Sequence, residues 1–339
     1  MVLCAAANAC SIAHVDLSTA MAKPRPRIGI IRVSCCGGSF PLFLPKEVEK
    51  IKDPFAVSLA RRIERIPLKV TFSDTPIMSS CVRPSRHEST SPIVLLHGFD
   101  SSCLEWRYVF PLLEEVGLES WAVDILGWGF SDLARRPSCN AASKRDHLYQ
   151  FWKSYIKRPM ILVGPSLGSA VAIDFAVNHP EAVSKIVLID ASVYAEGTSN
   201  MGKLPRIFSY AGVALLKSVP LRLYANYLAL NDIYYGTYAD GMDVGRLHCF
   251  LPWWEDATVD FMISGGYNVV NLINQVRQKV LIIWGEDDRI INFKLAVRLH
   301  SELRDAKLRL IPECGHIPHV EKPRAVADMI VEFAKTGRY

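Results

Sequence analysis

The chain has 339 residues, half of them hydrophobic, and a formal net charge of +5. That length holds one α/β domain with an insertion, or two domains, and it contains no uninterrupted apolar run of about 18 residues of the kind that spans a membrane. The charge is uneven: Lys23, Arg25, Arg27, Arg32 and Lys46 stand against one acid, Asp16, in the first 46 residues, which leaves a nearly neutral remainder and no nucleic-acid footprint.

The leader is rich in Ala, Ser and Cys and poor in acids, the composition of an organellar transit peptide. It lacks the basic n-region of a secretory signal. Residues 1–48 are therefore read as a transit peptide or disordered leader, with cleavage expected within 34–60. Of the nine cysteines, Cys4, Cys10, Cys35 and Cys36 lie in it. Cys81, Cys103, Cys139, Cys249 and Cys314 are dispersed without a CxxC, which argues against a disulfide framework or a zinc site and fits a reducing compartment, stroma or cytosol. No metal or cofactor is expected.

From Pro67 a regular pattern begins. "PLKVTF" and "IMSSCV" read as an opening pair of strands, and "SPIVLLHG" as an apolar strand ending at Gly98. "LEWRYVFPLLEEVG" has helical spacing and "SWAVDI" is a strand. "DILGWGFSD" (Asp124 to Asp132) lacks the lysine of a phosphate loop and the spacing of a dinucleotide fingerprint, so it reads as a loop bracing the rim of a site. A helical stretch around "SKRDHLYQFWKSYI" leads to the strand "PMILVG" and the helix "LGSAVAIDFAVNHP", then the strand "KIVLID". The strands "KVLIIWG" and "AKLRLIP" follow later, each with a helix behind it, "NFKLAVRLHSEL" and "PRAVADMIVEFAK". Short apolar runs alternating with helices predict a mostly parallel sheet covered by helices on both faces. The alternation breaks only between Asp190 and Lys279, where helical patterns and aromatic clusters predict a lid over the carboxyl ends of the strands.

The chemistry gathers at strand ends. Gly164-Pro165-Ser166-Leu167-Gly168 stands between a strand and a helix and matches G-x-S-x-G. A serine held there projects its hydroxyl above the sheet, and its neighbours two residues away must be small. A serine hydroxyl needs a base, and the base an orienting acid. Asp288, in "WGEDD", and His316, behind Gly315, follow in the required order, each just past a strand. Asp287 reads as a solvated turn residue, Asp190 as an alternative acid or a cap for the lid's first segment, and His319 and His97 as structural histidines. The backbone N–H groups of Leu167 and Phe99 are the expected oxyanion donors.

Taken in order, "LLHGFD", "DILGWGFSD", "GPSLG", "WGEDD" and "CGHIPHVEKP" resemble the α/β-hydrolase superfamily over roughly Pro92 to Phe333. The resemblance implies an eight-stranded, mostly parallel sheet. Members that cleave epoxides or haloalkanes place an aspartate at the elbow; Ser166 in that place disfavours both chemistries. The leader, "DPFAVSLARRIERIPLKV", "VNHPEAVSKIVLIDASVYAEG" and "LHCFLPWWEDATVDFM" are similar to plant plastid α/β-hydrolases linked to tocopherol synthesis and related to chlorophyll dephytylases. That likeness implies a chloroplast esterase, envelope- or thylakoid-associated, acting on a prenyl or acyl ester.

The expected organisation is therefore a leader (1–48), a hydrolase core in two parts (49–190 and 279–339) and a lid (191–278). The expected activity is a serine carboxylester hydrolase acting on a small apolar ester; the same residues would also serve a C–C bond hydrolase or an acyltransferase, and the scaffold could host a ligand receptor without catalysis. Residues 192–275 hold 13 of the chain's 33 aromatic residues, among them Tyr234, Tyr235, Trp253 and Trp254, which suits either an apolar substrate or ordinary packing of the lid. No acid occurs from Gly197 through Asn231, where Lys203, Arg206, Lys217 and Arg222 accompany Ile207, Tyr210, Ala211, Ala214 and Leu215 at helical spacing. A basic amphipathic helix of that kind predicts peripheral contact with a membrane.

Overall fold

The apolar runs find partners in a single sheet. The computed structural model describes residues 38–86, 91–198, 201–231 and 235–335; of the leader expected over 1–48, residues 1–37 lie outside the described residues, while Leu44 and Val48 are buried in the core. The strands are β1 (Ile63–Leu68), β2 (Ile77–Val82), β3 (Ile93–Leu95), β4 (Ser120–Val123), β5 (Met160–Pro165), β6 (Val183–Ile189), β7 (Lys279–Gly285) and β8 (Ala306–Ile311). They lie in the order β1-β2-β4-β3-β5-β6-β7-β8. β2 runs antiparallel to both its neighbours, and β3 to β8 are mutually parallel. β3, β4 and β5 are buried along their whole length, as strands covered on both faces must be. At the outer edge β8 alternates between half-buried and exposed positions.

The helices, in chain order, are α1 (Pro54–Ala60), α2 (Val109–Glu115), α3 (Ala141–Phe151), α4 (Leu167–Asn178), α5 (Arg206–Leu216), α6 (Val219–Ala229), α7 (Tyr235–Arg246), α8 (Trp254–Ile263), α9 (Lys294–Glu302), α10 (Pro318–Glu321) and α11 (Pro323–Lys335). The two faces of the sheet carry separate cores. One gathers Trp121, Phe151, Phe175 and Trp284, with the lid residues Val213, Trp254 and Phe261 packed into it. The other gathers Trp106, Phe110, Leu113, Ile330 and Phe333. α5 to α8 all lie between β6 and β7, so the lid is a helical insertion at the point where the alternation of the sequence stops. The five cysteines beyond the leader are free and buried. Among the described residues, no helix is long and apolar enough to cross a membrane.

Two elements differ from expectation. The first strand covers 63–68 rather than 67–72; it is an edge strand, where Pro67 removes no ladder hydrogen bond that the sheet interior needs. The helix expected over 104–117 is split into a 3-10 turn (Cys103–Trp106) and α2. At the break, the Trp106 indole donates to the Leu96 carbonyl (2.8 Å), and buried Arg107 reaches Asp53 (2.8 Å), the N-cap of α1. These long-range bonds outweigh local helical propensity.

Candidate active site

Ser166 sits between the last residue of β5 and the first residue of α4 with φ +48° and ψ −116°, a backbone that costs a non-glycine residue energy. The turn is held from below. The Ser166 N–H donates to the Ile189 carbonyl (2.8 Å), and its carbonyl accepts from Ser192 (3.1 Å) and Ser169 (3.1 Å). The flanking glycines are sterically required. A Cβ on Gly164 would run into the Gly168 backbone, and one on Gly168 would meet the His97 carbonyl oxygen at 2.7 Å. The serine itself is half-buried, and the Cβ position of Gly98 lies 3.8 Å from Ser166 Cβ, so the loop after β3 closes over the elbow.

Asp288 and His316 meet. The His316 Nδ1 faces Asp288 Oδ2 at 2.8 Å, and Asp288 Oδ1 accepts two backbone N–H bonds, from Ile290 (2.7 Å) and Ile291 (2.9 Å). The Asp288 side chain is fully buried and that of His316 nearly so. With Nδ1 turned to the carboxylate, Nε2 is the nitrogen left for a hydroxyl proton. The His316 N–H donates to the Ala229 carbonyl at the end of α6 (2.7 Å), so the lid helps set the histidine's place. Among the described residues the Ser166 hydroxyl makes no hydrogen bond; contacts of this type commonly tighten only when substrate is bound. Asp287 is exposed and bonds Asn231 (3.0 Å), as befits a turn residue.

Leu167 opens α4, so its N–H has no partner within the helix. Phe99 follows Gly98, and the side chains of His97 and Glu105 brace this stretch. His97, pushed by burial below its ordinary value and therefore neutral, donates from Nδ1 to the Gly98 carbonyl (2.8 Å) and accepts the Ile125 N–H on Nε2 (3.0 Å). Glu105 accepts the Gly98 N–H (2.9 Å) and faces His319 (2.7 Å). Burial alone would raise the Glu105 carboxyl, but His319 and the Gly98 N–H hold it down at about 2. Asp124, at the head of "DILGWGFSD", accepts from Cys103 (2.6 Å) and Phe130 (2.9 Å) and from the Ser80 hydroxyl, so that segment is a brace, as its sequence suggested.

Sequence reasoning missed one cluster entirely. Asp100, buried and with φ +50°, directly follows Phe99. It accepts from Arg222 of α6, from the Trp254 indole (2.7 Å) and from His248 (2.9 Å), all three in the lid. Arg222, read from sequence as part of a basic face in contact with a membrane, thus points inward. Nothing local signals this pairing, because Asp100 lies more than 120 residues from each of its three partners. The lid aromatics divide similarly: Phe261 packs on Trp128 (5.0 Å between ring centroids) and on Phe99 (6.4 Å), while Phe208, Tyr224 and Tyr227 are exposed. The aromatic enrichment of the lid thus divides between its packing and its exposed surface.

The profile described as Alpha/beta hydrolase family matches residues 93–329. The chain belongs to that family. Its sequence is 54% identical over 312 residues to the alpha/beta hydrolase domain-containing protein VTE7 of Arabidopsis thaliana, covering 91% of this chain and 94% of the relative. It is 26% identical over 257 residues to a 2-hydroxy-6-oxononadienedioate/2-hydroxy-6-oxononatrienedioate hydrolase of Cupriavidus pinatubonensis, covering 71% and 86%. Among solved structures the fold is shared with an esterase from Exiguobacterium antarcticum (TM-score 0.65, 18% identity, 80% of this chain and 100% of that one). It is shared equally with a thermophilic esterase from Thermogutta terrifontis (TM-score 0.64, 17% identity, 80% and 97%). The chain is thus a serine-hydrolase-type enzyme on the α/β-hydrolase scaffold.

Proposed function

We propose that the protein is a carboxylester hydrolase of plastids whose substrate is an apolar prenyl or acyl ester, of the chlorophyll or lipid type, and that it supports prenyl alcohol supply for tocopherol synthesis. The observation that carries the chemistry is the strained Ser166 elbow beneath the Gly98 loop, on a scaffold that also seats the Asp288–His316 pair. Ser166 Oγ attacks the ester carbonyl as His316 Nε2 takes its proton, and Asp288 holds the imidazole in the tautomer this requires. The Leu167 and Phe99 N–H groups receive the negative charge that forms on the carbonyl oxygen. The leaving alcohol departs with the proton from His316, and water, activated by the same nitrogen, releases the acid. Plastid residence rests on the composition of the leader and on the 54% identity to VTE7.

The exposed surface of the lid supports an apolar, membrane-dissolved substrate. Leu204, Ile207, Phe208, Leu215, Val219, Tyr224 and Tyr227 are seven of the twelve large apolar side chains exposed among the described residues, and all fall within 24 consecutive positions. Lys203 and Arg206 stand exposed beside them, and the run holds no acid. An apolar patch with a basic margin suits the surface of an anionic bilayer.

The decisive test uses an activity-based fluorophosphonate and an ester panel on wild type and Ser166→Ala. Labelling and release of a free prenyl alcohol or fatty acid from plastid membranes are expected from the wild type alone. An unlabelled wild type sinks the serine-hydrolase reading. Cleavage of a vinylogous diketone without ester cleavage would move the assignment to the C–C bond hydrolases.

A further inference from the structure

A second carboxyl group stands behind the first. Asp190 directly follows β6 in a left-handed backbone (φ +42°) and is fully buried. Its Oδ1 accepts the Gly285 N–H at the end of β7 (3.0 Å), and its Oδ2 has no hydrogen-bond partner. Asp190, Asp288 and His316 each bring a polar atom to a common point, all within 4.8 Å of one another. Two carboxylates sealed this close together do not both ionise; one keeps a proton. The contacts say which. Asp288 is held by two backbone N–H groups and the His316 ring, three donors that suit a carboxylate. Asp190 has one such donor and an empty second oxygen. Of the other titratable groups around it, Glu321 adds negative potential, the Cys314 thiol is pushed up by burial and stays neutral, and His316 is the base in the cluster.

We propose that Asp190 is a neutral carboxylic acid that donates its proton to Asp288, so that the acid behind His316 is a carboxyl–carboxylate pair and Asp190 is a positioning residue. The proposal rests on the reading of Ser166, Asp288 and His316 as a triad. It gives the empty Oδ2 a partner, fixes the Asp288 carboxylate from a third side, and presents His316 with one negative charge rather than two. Burial, and then the charge of Asp288, push the Asp190 carboxyl well above its ordinary range, as this arrangement requires.

The test is the pH profile of kcat and KM on a water-soluble chromogenic ester. Asp190→Ala removes the donor to Asp288, so kcat is expected to fall about tenfold with KM nearly unmoved, and the acid limb to shift upward. Asp190→Asn keeps an acceptor for Gly285 and a donor for Asp288, so most of the lost rate returns with the acid limb near its wild-type place. If Asp190 were instead ionised, both variants would remove a charge from beside His316 and move the acid limb to lower pH; that result, or a silent Asp190→Ala, overturns the proposal. An infrared measurement stands apart from folding of the Ala variant. Wild type at neutral pH should show the C=O stretch of a buried protonated carboxyl that Asp190→Asn lacks, and its absence from wild type also overturns the proposal. Failure of fluorophosphonate labelling of the wild type would count against the triad itself and leave the infrared result standing.

Discussion

Ser166 is asked to hold a conformation that its side chain resists. With φ +48° and ψ −116° it lies where only glycine is at ease, and such a residue stores about 1–3 kcal/mol of strain. Ser166→Gly should therefore be inactive yet more stable than Ser166→Ala, by about 1 kcal/mol or more, as read from denaturant midpoints of the two variants. Equal midpoints would mean that the elbow is not strained in solution. Ser166, Asp288 and His316 stood out as candidates in the sequence because each follows an apolar run and a nearby glycine, Gly164, Gly285 and Gly315. Glu105 and Asp100 did not. Each is an ordinary acid in a loop, and what makes it a brace arrives from far along the chain: His319 for Glu105, and Arg222, His248 and Trp254 for Asp100. Asp190 falls between these cases. Its position at a strand end marked it as a candidate acid, but only packing against Asp288 distinguishes a carboxylate from a carboxylic acid.

Between elements, the Asp100 cluster is where the lid is fastened to the loop that carries Phe99. Burial would raise the Asp100 carboxyl, but Arg222, then His248, hold it near 2. Burial would depress His248, but Cys249 and Asp100 raise it to about 9. The signs differ. The Asp100 contribution is complete above its ordinary value of 3.8 and is lost as pH falls through about 2. The His248 contribution is complete below 6.5 and is lost as pH rises through about 9. The lid should accordingly be held most firmly between about pH 4 and 6.5 and loosen on the alkaline side, with Arg222 still in place. Amide hydrogen exchange in α6, corrected for its intrinsic pH dependence, should show protection falling from pH 6.5 to 9. Arg222→Met, which leaves Asp100 buried without its guanidinium, should cost about 3–5 kcal/mol of local or global stability and abolish protection there. Protection that is flat with pH would show that His248 does not titrate with the lid. The order of elements here was readable from periodicity, since lid helices replace strands between Asp190 and Lys279. The inward turn of α6 was not, because an arginine among apolar residues looks the same from sequence whether it faces water or an aspartate.

At the scale of the whole molecule, helices cover the sheet on both faces while the lid leaves greasy residues in water. On α5, Ser209, Val213 and Leu216 face the core, and Ile207, Phe208, Ala211, Ala214 and Leu215 face outward. A helix apolar on both sides is unusual at a surface unless something apolar covers it. On α5 itself, Tyr210, expected on that outer face, turns partly inward, to Asp256 (2.8 Å). If the covering phase is an anionic bilayer, binding has two separable parts: attraction to Lys203 and Arg206, which salt screens, and insertion of the apolar side chains, which salt does not weaken. Flotation with vesicles containing anionic lipid should thus recover the protein strongly at low salt and less at high salt, with neutral vesicles recovering little. Transfer of a large apolar side chain is worth about 1.5–3 kcal/mol, so Ile207→Ser with Phe208→Ser should cut partitioning at least tenfold at every salt concentration. Lys203→Glu with Arg206→Glu should instead flatten the salt dependence. Both pairs alter exposed positions and should leave the thermal midpoint within a few degrees of wild type. Strong binding of the Ile207/Phe208 double variant would remove α5 as the inserting element, and a concentration-dependent dimer broken by the same pair would name a second copy of the chain as the cover.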